Sequence, residues 1–254
     1  MCFSAEVDLV VGSAVTLVGV DAVRHVGPRR DLPLAILPVV LGVHLIIEAA
    51  VWHGLEGRDS FLDLTSATVA YLAIAFVVVP ILAPLALVIR EPRERALQLL
   101  PFLGLGALAA AVLGNAMWDG PIVARVEGHH VAYHVPLTSG GLMVAAYVAA
   151  ACGPALLSAN RRIRWFGLAN LAAVGILVMF EKAALISIWC AWAAVTSAAI
   201  ALHLRKLART GRIEPEAGGR TDPPPDPPEP AARYRTVAVD PDRGRTTDDP
   251  ARDQ

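Results

Sequence analysis

Up to residue 204 the chain alternates between long apolar stretches and short polar connections, and the stretches fall approximately at 9–23, 34–53, 64–89, 97–118, 137–157, 165–180 and 184–204. Each is apolar all round, without the alternation of a half-buried strand, which predicts helices. A bilayer core of about 30 Å needs roughly 20 apolar residues at 1.5 Å rise. The pattern therefore predicts an all-α, polytopic bundle of seven transmembrane helices over residues 1–208, followed by a tail over 209–254.

Arginine and lysine alternate between the connections. Arg24, Arg29, Arg30, Arg90, Arg93, Arg95, Arg161, Arg162, Arg164, Arg205, Lys206, Arg209 and Arg212 fall on one side, thirteen in all, against Arg58, Arg125 and Lys182 on the other. The cation-rich side is expected to be cytoplasmic, which places the N-terminus outside, the C-terminus inside and the protein in the plasma membrane. The same parity divides 165–204 into two short helices around Glu181 and Lys182.

Composition agrees with this pattern: 55% of residues are apolar, 18% are charged and the mean hydropathy is +0.52. The start, with Glu6 and Asp8 and no cation before Arg24, does not read as a secretory signal, so the first helix is expected to be retained. Cys2, Cys152 and Cys190 are too few and scattered for a disulfide framework or a thiolate zinc site. The net charge of -1 conceals an acidic tail, because residues 213–254 hold ten acids, six arginines and nine prolines. Such a segment is expected to stay disordered and could bind a cytoplasmic partner. Nucleic acid is not an expected partner.

Ionisable groups inside membrane helices are costly and mark functional sites by default. His44, Glu48 and Trp52 recur at i, i+4 and i+8 and so share one face of the second helix. A buried histidine and carboxylate one turn apart can hold and deliver a proton, or can serve as a structural hydrogen bond. Further polar groups gather at the same outer depth, namely Asp63, Thr68 and Tyr71 on the third helix, Asn115, Trp118 and Asp119 ending the fourth, and Glu181 and Trp189 near the sixth-to-seventh turn. That bias predicts a cavity opening outward, although helix-end anchoring accounts for part of it. Pro80 and Pro84 should kink the third helix or free its carbonyls, and Gly104, Gly106, Gly114, Gly140 and Gly141 should permit close packing.

The connection 119–136 holds two Val-rich runs around Gly128, a hairpin pattern in which His130 and His134 would share a face. Two imidazoles offer part of a divalent metal site, with His53, Glu48, Glu127 or His129 as third ligand at no diagnostic spacing. A hydrogen-bonded loop capping the bundle is the competing reading, and no cofactor is expected.

Met1-Cys-Phe-Ser-Ala5, Glu48 with Val51-Trp52, the Pro80 and Pro84 pair, Gly128-His129-His130 with Tyr133, Gly153-Pro154 through Ser158, and Ser187-Ile-Trp189-Cys190 occur in order. In these the chain resembles an uncharacterised family of small bacterial, often actinobacterial, multi-pass membrane proteins. The resemblance implies fold and location. It also implies glutamine in the second helix where this chain has Gly42-Val43-His44, which moves weight from His44 to Glu48. A looser likeness of architecture is to the integral-membrane terpene cyclases.

The expected activity is an acid/base enzyme acting on a lipid or isoprenoid, with Glu48 as proton donor or base, His44 tuning it, Asp63 and Glu181 completing the acids, and Trp52, Tyr71, Asn115, Trp118, Tyr133 and Trp189 lining the substrate. A transporter, receptor or sensor with an outward cavity is one alternative. A metal or haem protein of the outer leaflet, held through His130 and His134, is another.

Overall fold

The computed structural model describes residues 4–26, 28–127, 130–135 and 140–180, with seven further helical positions between 192 and 202. Its elements are α1 (Ala5–Arg24), a 3-10 turn (Arg29–Asp31), α2 (Leu32–Leu55), α3 (Leu64–Ala73), a π-helical segment (Ile74–Val78), α4 (Val79–Arg90), α5 (Arg93–Asp119), β1 (Val123–Glu127), β2 (His130–His134), α6 (Gly140–Leu157) and α7 (Arg161–Phe180).

Six of the seven apolar stretches are thus helices. The seventh, 184–204, with the turn expected at 181–183, falls mostly outside the described residues, as does the tail 209–254. Among the described residues four helical runs are long and apolar enough to cross a membrane: Arg29–Leu55, Leu64–Arg90, Arg93–Asp119 and Gly140–Leu157. Large apolar side chains cover the outside of the helices, with Leu17 70% and Leu142 72% exposed. A water-solvated monomer does not tolerate so much apolar surface, and a bilayer does.

Polar signals set the helix ends. The Ser4 hydroxyl accepts from the Val7 N–H at 3.4 Å, and Glu6 and Asp8 in the first turn suit the helix dipole, so α1 begins before its apolar run. Asp63 accepts from Ser66 N–H at 3.0 Å, and the Asn160 side chain accepts from Arg162 N–H at 2.9 Å, opening α3 and α7. Gly57 takes the left-handed φ of 68° in the turn after α2.

Polar pairs at the helix termini join alternate helix ends. Arg58, after α2, donates to Glu6 at the start of α1 at 3.1 Å. At the opposite end Arg90 pairs with Asp31, and Glu91 accepts from the Ser158 hydroxyl and, at 3.1 Å, from Ala159 N–H. Consecutive helices therefore run up and down.

α1 packs closely on α2 through glycines that no sequence pattern singled out. A Cβ on Gly42 would lie 2.4 Å from Thr16 Oγ1 and 2.6 Å from Thr16 N, and one on Gly12 would lie 2.7 Å from Gly42 O. Of the glycines expected to serve packing, Gly106 does so against the Pro80 carbonyl and Gly114 touches Val77, whereas Gly104 and Gly141 meet nothing.

The third apolar stretch stays continuous across its prolines by widening ahead of them. Val79 N–H donates to Ile74 O, five residues back. Carried one residue further, that register would need an N–H from residue 80, which proline lacks. The Ala75 carbonyl so released accepts instead from the Tyr147 hydroxyl of α6, buried and 2.7 Å away. The prolines therefore produce a π segment held from a neighbouring helix.

Candidate functional site

α2 is buried along much of its length because α1 packs on it through glycine and α3 covers another face. His44 and Glu48 are fully buried at 0% exposure and Trp52 is buried at 5%, so the i, i+4, i+8 stripe of polar and aromatic residues lies in the core. Leu45, Ala49 and Tyr71 are equally enclosed.

Three elements meet over His44. Its imidazole stacks on the Tyr71 ring of α3, with centroids 3.9 Å apart and planes 16° from parallel. Tyr71 in turn stacks on Tyr133 of β2, at 4.5 Å and 17°. The hairpin that carries Tyr133 is antiparallel, pairing Val123 with His134 and Glu127 with His130. Val131, Ile122, Ala124 and Tyr133 join the same hydrophobic cluster as Trp52, Tyr71 and Leu72, which seats the hairpin over the ends of α2 and α3. Tyr133 is the half-buried outer member of the stack.

Among the described residues neither ring nitrogen of His44 has a hydrogen-bond partner, and Trp52 Nε1 and His130 Nε2 also lack one. A buried polar group left unpaired costs about 1–3 kcal/mol, so such groups are exceptional in a folded protein and call for a reason. A donor or acceptor supplied by a bound molecule would remove the cost at His44. Glu48, one helical turn away, offers a carboxyl on the same face.

Other expected site residues stand elsewhere. Asp63 is exposed and is the N-cap of α3; the backbone N–H of Ser66 holds its carboxyl below the ordinary carboxylate range. Asn115 is exposed and donates to Asp119 at 2.6 Å, one turn along the same helix. Trp118 is 90% exposed, so its ring faces away from the core. Glu181 and Trp189 lie outside the described residues.

The hairpin forms as expected, but it does not make a two-histidine metal face. His130 is buried and His134 exposed, at opposite ends of β2. Four residues of extended chain separate them by about 13 Å, too far to share one ion. Among the described residues no group of three His, Cys, Asp or Glu is placed to hold a metal.

Two buried polar residues carry little signal in the sequence. Tyr147 is half of the π-segment lock, and only the Pro80 that creates its partner hints at it. Asp8, at 2% exposure, lies in the first turn of α1, where an acid is expected for the dipole alone.

Residues 1–214 match the family model DUF6629, described as a family of unknown function. No curated protein and no solved structure matches the chain.

Proposed function

The chain belongs to the DUF6629 family of unknown function, and from that premise we propose that it is a seven-helix plasma-membrane protein whose His44 and Glu48 form an acid/base site acting on a lipid or isoprenoid substrate. The observation that carries the reading is the fully buried His44, with both ring nitrogens unpaired among the described residues, one turn from an equally buried Glu48. In membrane interiors such groups are retained for chemistry.

The chemistry is compatible with protonation of an alkene. Glu48, as the carboxylic acid, adds its proton to one alkene carbon and leaves a carbocation on the other. The ring faces of Tyr133 and Trp52 are of the kind that stabilise cations. Loss of a proton from a neighbouring carbon to His44, and its return to the Glu48 carboxylate, forms the new alkene and restores the site. No external reductant or oxidant is required.

Topology supports an outward site. Among the described arginines, nine lie at the helix ends joined by Asp31–Arg90 and Glu91–Ser158, against Arg58 and Arg125 at the ends that carry the hairpin. With the cation-rich ends inside, the stack and its hairpin face out, and the N-terminus is outside.

A ligand-binding receptor or sensor is the second reading, favoured by the stack itself, since displacement at Tyr71 would be felt directly by Tyr133 and the hairpin. The two separate experimentally. Lipids and metabolites are compared between cells with and without the gene, then between wild type and Glu48→Gln at equal protein level. A product that vanishes with Glu48→Gln supports the enzyme. Full turnover in that variant excludes the role of Glu48, and thermal stabilisation by a ligand that is recovered unchanged supports the sensor.

A further inference from the structure

At the cation-rich end, α6 and the start of α7 enclose a groove of about 300 Å3 lined by Leu156, Arg161, Arg164, Trp165 and Leu168. The four α7 residues recur at i, i+3, i+4 and i+7, so they form one stripe on the helix. Arg161, Arg164, Trp165 and Leu168 are all exposed, and neither arginine takes part in an ion pair among the described residues. The groove shares no residue with the His44 site, and a ligand could occupy it whether or not that site is catalytic.

The order of the stripe is informative. From the helix start inward it runs from two guanidiniums to an indole to an aliphatic side chain, over about 10 Å of helix rise, with Leu156 as the facing wall. Guanidinium forks bind phosphate oxygens in bidentate fashion. Tryptophan favours the headgroup level of a bilayer, and the leucines offer surface to methylene groups. A free phosphate would use only the first part of this gradient. A phospholipid uses all of it, and the surrounding cationic helix ends enrich the anionic kind.

We infer that the α6–α7 groove is a binding site for an anionic phospholipid, with the headgroup phosphate on Arg161 and Arg164, the glycerol region beside Trp165 and one acyl chain along Leu156 and Leu168.

The test is native mass spectrometry of the full-length protein, titrated with dioleoyl phosphatidylglycerol, dioleoyl phosphatidylcholine or inorganic phosphate. Phosphatidylglycerol is expected to be retained in preference to phosphatidylcholine, and phosphate not at all. Arg161→Gln with Arg164→Gln should weaken phosphatidylglycerol binding about 30-fold, roughly five-fold for each guanidinium. Arg161→Lys with Arg164→Lys should lose less, because charge remains and only the fork is gone, and it also serves if the glutamine pair fails to fold. Arg93→Gln with Arg95→Gln, on the same side but outside the groove, should keep the preference. Equal retention of the two lipids, equal loss in the Arg93/Arg95 control, or displacement of lipid by phosphate would each overturn the assignment.

Discussion

His44 and Tyr71 owe their burial to neighbours that lie far apart in sequence, and their importance can be separated from their chemistry. Tyr71→Ala removes a fully buried ring that holds both other members of the stack, and should cost about 3–5 kcal/mol in a reversible unfolding titration. Tyr71→Phe keeps both ring contacts and should cost much less. By contrast Trp118→Ala, at a position 90% exposed, should leave stability within about 0.5 kcal/mol. At Asp63 the readout is pH. Its folded-state pKa is depressed by the Ser66 N–H, so its contribution is present above the unfolded pKa and lost as pH falls through the folded one. Hydrogen exchange at the Ser66 amide should be faster in Asp63→Ala than in wild type at neutral pH, and the gap should start to narrow only as pH falls below about 4 toward the depressed folded-state pKa. The i, i+4, i+8 stripe of His44, Glu48 and Trp52 was legible because helical spacing alone groups those residues. The outward exposure of Asn115, Trp118 and Asp63 was not legible, because depth along a helix says nothing about which way the helix turns.

Among the elements, the third apolar stretch carries the most local information. Pro80 and Pro84 announced a disturbance, but its form as a π segment depends on a hydroxyl supplied by α6. Tyr147→Phe leaves the Ala75 carbonyl without its donor and should cost about 1–3 kcal/mol. Pro80→Ala restores a backbone donor, so in that background Tyr147→Phe should cost less, a coupling that a double-mutant cycle measures. Additive effects would show that the hydroxyl does not serve the carbonyl that Pro80 releases. On α1 and α2 a methyl group is enough to test the packing. Gly42→Ala would put Cβ against the Thr16 backbone and should destabilise by about 1–3 kcal/mol. The hairpin was visible from its two Val-rich runs around Gly128, but the burial of His130 and exposure of His134 at opposite ends of β2 were not, because a shared strand face leaves residues four apart separated along the strand.

At the scale of the whole molecule the proposed orientation is the testable quantity. In a Cys2→Ser background, a cysteine replacing Arg58 should react with a membrane-impermeant maleimide in intact cells, and one replacing Arg93 only after permeabilisation. The reverse pattern would place the His44 stack on the cytoplasmic side. The sequence by itself determined the helical class, six of the helix positions that can be compared, the hairpin and the segregation of cations, because apolar run length, strand alternation and charge are properties of contiguous residues. Only the tertiary structure decided that His44, Tyr71 and Tyr133 stack, that Tyr147 completes the π segment and that Asp63 caps a helix while Asn115 and Trp118 stand outside the core. Those outcomes depend on the rotation of each helix about its axis. Packing between distant glycines, prolines and aromatic rings sets that rotation, and in helices apolar on every side no local pattern records it.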